Sequence, residues 1–221
     1  MRSRSAAIVL VALVVLVSAC SDDEPEERIL STPAGVVGEW LGGLETLDLD
    51  ALVATTDPAN VALVAGAEND FDVGQMVAVV ESGLPEAALR SYWTTFRDGL
   101  VAFIEPPLSA VSVGSAERFA IDGRQHAAVI VSRGDAETEI ITTLSLDGWK
   151  VDLTATTGPA LAVQVRRLVA RTVAEAEDDV ARRYARIAVE SLGAALERDP
   201  DNRALDLEVE AIQDLPIDLG S

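Results

Sequence analysis

ETEIITTLSLDGWKVDLT, residues 137–154, decides the fold. Two β-rich runs, 137–146 and 149–154, flank Asp147-Gly148, and Asp-Gly between such runs is the strongest short-range hairpin signal. With Asp147-Gly148 as a two-residue loop, Leu146 stands opposite Trp149 and Leu144 opposite Val151. Those four share one face, and Lys150 and Asp152 point the other way. The same signal recurs upstream, where residues 109–121 and 124–132 flank Asp122-Gly123. Arg133-Gly134-Asp135 turns between the two hairpins, so the expectation is a four-stranded antiparallel meander.

On either side of the strands the apolar period changes to that of helices. Thr32-Pro33 reads as a helix start, followed by Val36, Val37, Trp40, Leu41 and Leu44 at helical spacing. A short helix near Asp50 to Ala54 and another from Asp57-Pro58 through Val61 and Val64 come next. Residues 66–83 carry no clear period. Pro85 opens a stronger helix, Glu86 to about Ile104, with Leu89, Trp93, Phe96, Leu100 and Phe103 as its apolar stripe, and Pro106-Pro107 ends it. After the strands, Pro159 opens a helical region with two stripes: Leu161, Val165, Leu168, Val169, and then Val180, Tyr184, Ile187, Ala188, Leu192, Ala195. The acidic stretch Glu175 to Asp179 favours a new helix N-terminus and divides the region in two. A final helix is expected over Arg203 to Gln213.

Helices followed by antiparallel strands that end in Gly148-Trp149-Lys150-Val151-Asp152 resemble the nuclear-transport-factor-two-like (cystatin-like cone) domains. The resemblance covers residues 33–155 and implies an α+β cone: N-terminal helices packed on a curved antiparallel sheet of about four strands, with a pocket between them. The helical extension, residues 156–221, departs from the compact members of that family.

Residues 1–19 read as a signal peptide, with Arg2 and Arg4, an apolar run from Ala6 to Val17, and small residues before a cut. That run is shorter than the roughly 20 residues of a membrane span. Val17-Ser18-Ala19-Cys20 resembles a bacterial lipobox. By that resemblance Cys20 becomes the mature N-terminus and carries palmitate-type acyl chains that hold it to the extracytoplasmic face of the cell membrane. Residues 20–32 then form the lipidated Cys and an acidic tether, able to reach about 40 Å when extended. The chain holds 17 Lys+Arg against 37 Asp+Glu; without Arg2 and Arg4 the balance is 15 against 37, a net charge of −22. Such charge excludes nucleic acid as a partner. Cys20 is the only cysteine, so lipidation leaves no thiol for a disulfide.

His126, the only histidine, rules out a multi-His metal site; no metal and no cofactor is expected. A two-residue Asp122-Gly123 loop sets His126 opposite Phe119 and on the face of Val113, Ala128 and Ile130, which could point it into the cone. Cyclase- and isomerase-type members of the resembled family use pocket Asp and His as acid and base, although no carboxylate here matches theirs. Trp93, Phe96, Phe119 and His126 are the pocket-lining candidates. Asp70, Asp72 and Glu81 are spaced like parts of a calcium loop, but Gln75 stands where a Gly is required and Gly74 offers no side-chain oxygen, so a solvated acidic loop is expected. The segment Ala188 to Asn202 looks like the second helix and exit turn of a tetratricopeptide repeat, and its small residues could serve a protein partner through residues 160–198. The resulting expectation is a non-catalytic binding module, for a partner protein or a small apolar ligand. The alternative is a SnoaL-like cyclase or isomerase in which His126 is the candidate catalytic group.

Overall fold

The computed structural model describes residues 32–102 and 107–219. The signal segment, Cys20, the tether up to residue 31, and Phe103, Ile104 and Pro106 lie outside the described residues. Five helices come first: α1 (Pro33–Thr46), α2 (Leu49–Thr55), α3 (Pro58–Asn69), α4 (Val73–Ser82) and α5 (Glu86–Val101). The strands β1 (Ser112–Ile121), β2 (Arg124–Arg133), β3 (Ala136–Ser145) and β4 (Gly148–Val151) follow, then α6 (Leu153–Glu175), α7 (Asp178–Arg198) and α8 (Arg203–Gln213). The fold is α+β, with helices before and after one antiparallel sheet of order β1-β2-β3-β4. Among the described residues no helix is long and apolar enough to cross a membrane.

Short polar side chains start most of the helices by accepting from orphan backbone N–H groups. Thr32 caps α1 with Pro33 at the first helical position, Asp48 caps α2, and Asp57 caps α3 ahead of Pro58. The stretch without a clear period contains α4, which begins with a reciprocal capping box between Asp72 and Gln75. Asp70 ends α3 in a left-handed conformation and pairs with Arg171 at 2.8 Å, while Glu81 is exposed near the far end of α4. The three acids of the calcium-like spacing are therefore held apart by two helix termini.

The second hairpin differs in register from the sequence expectation. Leu144 pairs with Trp149 and Thr142 with Val151, so the loop residues are Leu146 and Asp147. Asp122 and Gly123 both take positive φ, as a tight two-residue turn demands. Asp147 does not; the positive φ falls on Gly148 alone, at 105°, after the turn. The shift is two residues, so Leu144, Trp149 and Val151 keep their common face. Leu146 leaves it and is 105% exposed.

Both faces of the sheet are covered. Ala127, Val129, Val131, Ile140, Trp149 and Val151 pack against α1, α3 and α5 residues in one core. Ala128 and Ile141 point the other way, against Ala155 of α6 and Ala194 of α7. Accordingly β2 is buried on both faces, from His126 through Val129. The helix α3 is buried nearly all round, because Val61, Val64 and Ala65 enter the sheet core while Ala62, Leu63 and Ala67 enter a second core with α6, α7 and α8.

The C-terminal region is two helices broken after Glu175, as the acidic stretch implied. Its first helix starts earlier than expected, at Leu153, because Asp152 caps it; Pro159 lies inside α6. The boundary drawn at residues 155 and 156 thus falls within one helix, and the two apolar stripes are used inside the fold.

Candidate functional site

Two places in the structure concentrate chemistry, one on each face of the sheet. The first is a buried polar cluster centred on Asp152, at the junction of β4 and α6. One carboxylate oxygen accepts from Asn60 Nδ2 of α3 at 2.7 Å and from the Ala155 backbone N–H at 2.9 Å. The other accepts from Ser191 Oγ of α7 at 2.9 Å and Thr143 Oγ1 of β3 at 3.1 Å. Four donors occupy the carboxylate, which is the full capacity of an ionised acid. Asn60 Oδ1 in turn accepts from the Thr154 backbone N–H at 2.8 Å.

His126 belongs to this cluster. The pairing of Phe119 with His126 is as the loop length required, and their rings stack at 5.4 Å between centroids. His126 nonetheless faces α7 and not the N-terminal helices, since it shares the face of Ala128 and is 1% exposed. Its Nδ1 meets Thr143 Oγ1 at 2.9 Å, whereas its Nε2 is buried without a hydrogen-bond partner. Burial lowers its pKa below the ordinary 6.5; Asp152 opposes that shift and Arg124 adds to it. Beyond the cluster, α7 is clamped to the sheet at two further points. Arg124 pairs with Glu190, and Arg198 reaches Glu139 at 2.8 Å and Glu117 at 3.0 Å.

The second place is a cleft along α5, on the face of the sheet away from His126. Only Tyr92 and Trp93 of α5 are buried; Leu89, Phe96 and Leu100 of its apolar stripe are half-covered. A cavity of about 700 Å³ lies between α3, α5 and α6, with Glu68, Phe71, Leu84, Tyr92 and Phe96 among its walls. A second, of about 430 Å³, lies over the sheet against Trp40, Val111, Val131 and Ile140. The two meet at Phe96, Leu100 and Thr157. Each volume falls in the range of small-molecule sites.

Around Phe96 the rings of Trp40, Tyr92 and Trp93 stand 5.6–6.0 Å away, and none of the three finds a partner for its polar atom. Burial raises the Tyr92 pKa well above its ordinary value, and the charge of Glu68 adds to this. Glu68 sits at the exposed rim, where desolvation by the cleft wall raises its own pKa.

The four pocket-lining candidates therefore do not converge. Trp93 is core, Phe96 is the shared wall of the two cavities, and Phe119 and His126 lie across the sheet under α7. The parity of β2 separates them, because side chains 126 and 128 point opposite to 127 and 129. Cys20 lies outside the described residues. Sequence reading missed Glu68 and Tyr92, and it missed the Asp152 cluster, whose one local sign was the polar Asn60 in an otherwise apolar helix. Among the described residues no group of three or more His, Cys, Asp or Glu could hold a metal ion. Comparison of the chain with protein-family models, with curated proteins and with solved structures found no match.

Proposed function

We propose that this chain is a lipid-anchored cell-envelope protein whose folded part binds a small, largely apolar ligand without catalysing its conversion. The observation that carries the reading is the half-covered stripe of α5, with Phe96 and Leu100 standing between two joined cavities. An amphipathic helix normally buries such a stripe against its own fold. Here the stripe leaves room for a guest. The unpartnered hydroxyl of Tyr92, a wall residue of the larger cavity, is what a guest's polar group would engage, since buried donors and acceptors otherwise go unsatisfied at a cost of about 1–3 kcal/mol.

Two further observations favour binding in the cleft. The apolar stripes of residues 160–198 pack within the second core, so the cleft is a better-supported binding surface than those helices. His126, the acid–base group of the catalytic alternative, lies on the other face of the sheet. The anchor rests on the Val17-Ser18-Ala19-Cys20 signal, and the order of helices and strands supports the cone-like resemblance.

The test is titration of the chain from Ser21 onward, which leaves out the lipidated Cys20, with n-alkanols of increasing length. All of the described core residues lie downstream of that point. Burial of a methylene contributes about 0.8 kcal/mol, so two added methylenes should tighten binding by about tenfold. Gly99 lines the larger cavity and has open space around the position of a Cβ. Gly99→Leu should therefore fold and weaken alkanol binding. Affinity independent of chain length, or unchanged in that variant, would overturn the reading.

A further inference from the structure

We infer that the ligand is an amphiphile bearing a protonated amine, held with its ammonium between Glu68 and the Tyr92 hydroxyl and its apolar chain along Phe96 and Leu100. The inference rests on the binding reading above and adds the chemistry of the head group.

Four features point to a cation that donates hydrogen bonds. Glu68 has no ion-pair or hydrogen-bond partner among the described residues, although it lines a cleft whose other walls are mostly apolar. The Tyr92 side chain lines the same cleft, is 8% exposed, and its hydroxyl oxygen has no partner. Glu68 and Tyr92 both line this one cleft, and the charge of Glu68 acts on the Tyr92 hydroxyl. Phe71, Tyr92 and Phe96 add aromatic faces to the wall, which attract a cation and are indifferent to a neutral head. The field of a chain with net charge −20 concentrates cations and repels carboxylates and phosphates. A primary ammonium supplies three donors, enough for the carboxylate, the tyrosine oxygen and one hydroxyl of Ser91 or Thr95 on the same helix. A quaternary ammonium would leave the tyrosine oxygen without a donor.

Calorimetry of the chain from Ser21 onward with decylamine, decan-1-ol and decanoate at pH 7 and low ionic strength decides the matter. The amine is expected to bind at least tenfold tighter than the alcohol, and the alcohol tighter than the carboxylate. Glu68→Gln should bring the amine down to the alcohol's affinity and leave the alcohol unchanged. Glu81→Gln, which removes a charge outside the cleft, should preserve the amine's advantage. Tyr92→Phe should weaken the amine by several-fold more than the alcohol. Equal affinities for amine and alcohol, or a Glu68→Gln variant that keeps the preference, would overturn the head-group inference while alkanol binding left the cleft itself standing. No binding of any of the three probes would overturn both.

Discussion

Thr143 Oγ1 lies 2.9 Å from Nδ1 of His126, and this contact sets the histidine's protonation state. The threonine hydroxyl has one proton, and it is directed at the Asp152 carboxylate 3.1 Å away. His126 must therefore donate from Nδ1, which leaves Nε2 as a buried lone pair with no hydrogen-bond partner among the described residues. A second proton would place an unpartnered charge beneath α7.

Stability is expected to fall as the pH drops from 7 to 5. The folded pKa of His126 is lowered, so the unfolded chain binds a proton first, from about pH 6.5 downward. Stability contributed by neutral His126 is full above that value and is lost between the unfolded and the folded pKa. The raised pKa values of Glu68 and Glu190 act in the opposite sense, because those folded carboxyls take protons more readily. The difference between wild type and His126→Leu in urea midpoint against pH isolates the histidine. A wild-type curve parallel to the variant's between pH 7 and 5 would sink the assignment.

Asp152→Asn should be among the more damaging single substitutions. Four donors converge on the carboxylate from α3, β3, α6 and α7, and an amide turns one of its two acceptor atoms into a donor. The expected cost is about 3 kcal/mol in chemical denaturation, from donors left unsatisfied in a buried site. A loss under about 1 kcal/mol would show that solvent reaches the cluster.

The corrected register of the second hairpin separates two neighbouring substitutions. Leu146 is fully exposed in the loop, so Leu146→Asn should change stability by no more than about 0.5 kcal/mol. Gly148 holds φ at 105°, and Gly148→Ala should cost about 1–2 kcal/mol. Had Leu146 faced Trp149, Leu146→Asn would also cost more than about 1 kcal/mol.

Arg198→Ala should loosen the C-terminal end of α7 from the sheet. The guanidinium grips both oxygens of Glu139, at 2.8 and 3.0 Å, and reaches Glu117 as well, and these contacts raise its pKa. About 1–2 kcal/mol is the expected loss, shrinking in high salt because the partners are part-exposed. Faster amide exchange should appear in the last turns of α7 and in β1, with the first turns of α7 unchanged.

Local order was readable wherever a short-range signal carried it. The helix starts at Thr32-Pro33 and Asp57-Pro58, the Asp122-Gly123 turn and the break after Glu175 each depend on residues a few positions apart. Where two local solutions have similar energy the reading slipped: Asp147-Gly148 suits a turn centred on the pair or one that ends on the glycine. Helix α4 was missed because its capping box, Asp72 with Gln75, was read as part of an acidic loop. The run Ala127 to Val131 in β2, apolar at every position, is the pattern of a strand buried on both faces, yet only the packing of N-terminal helices on the sheet was expected.

The chain by itself determined its α+β order and its four-stranded meander, because caps, turns and apolar period act over a few residues. Only the tertiary structure decided that α6 and α7 cover the second face, which sends His126 away from the cleft and gathers Asn60, Thr143, Asp152 and Ser191 into one cluster. Asn60 and Ser191 are 131 residues apart in sequence, and no local propensity reports such a meeting. It follows from the need to bury the stripes of α6 and α7 and to satisfy the polar groups trapped beneath them.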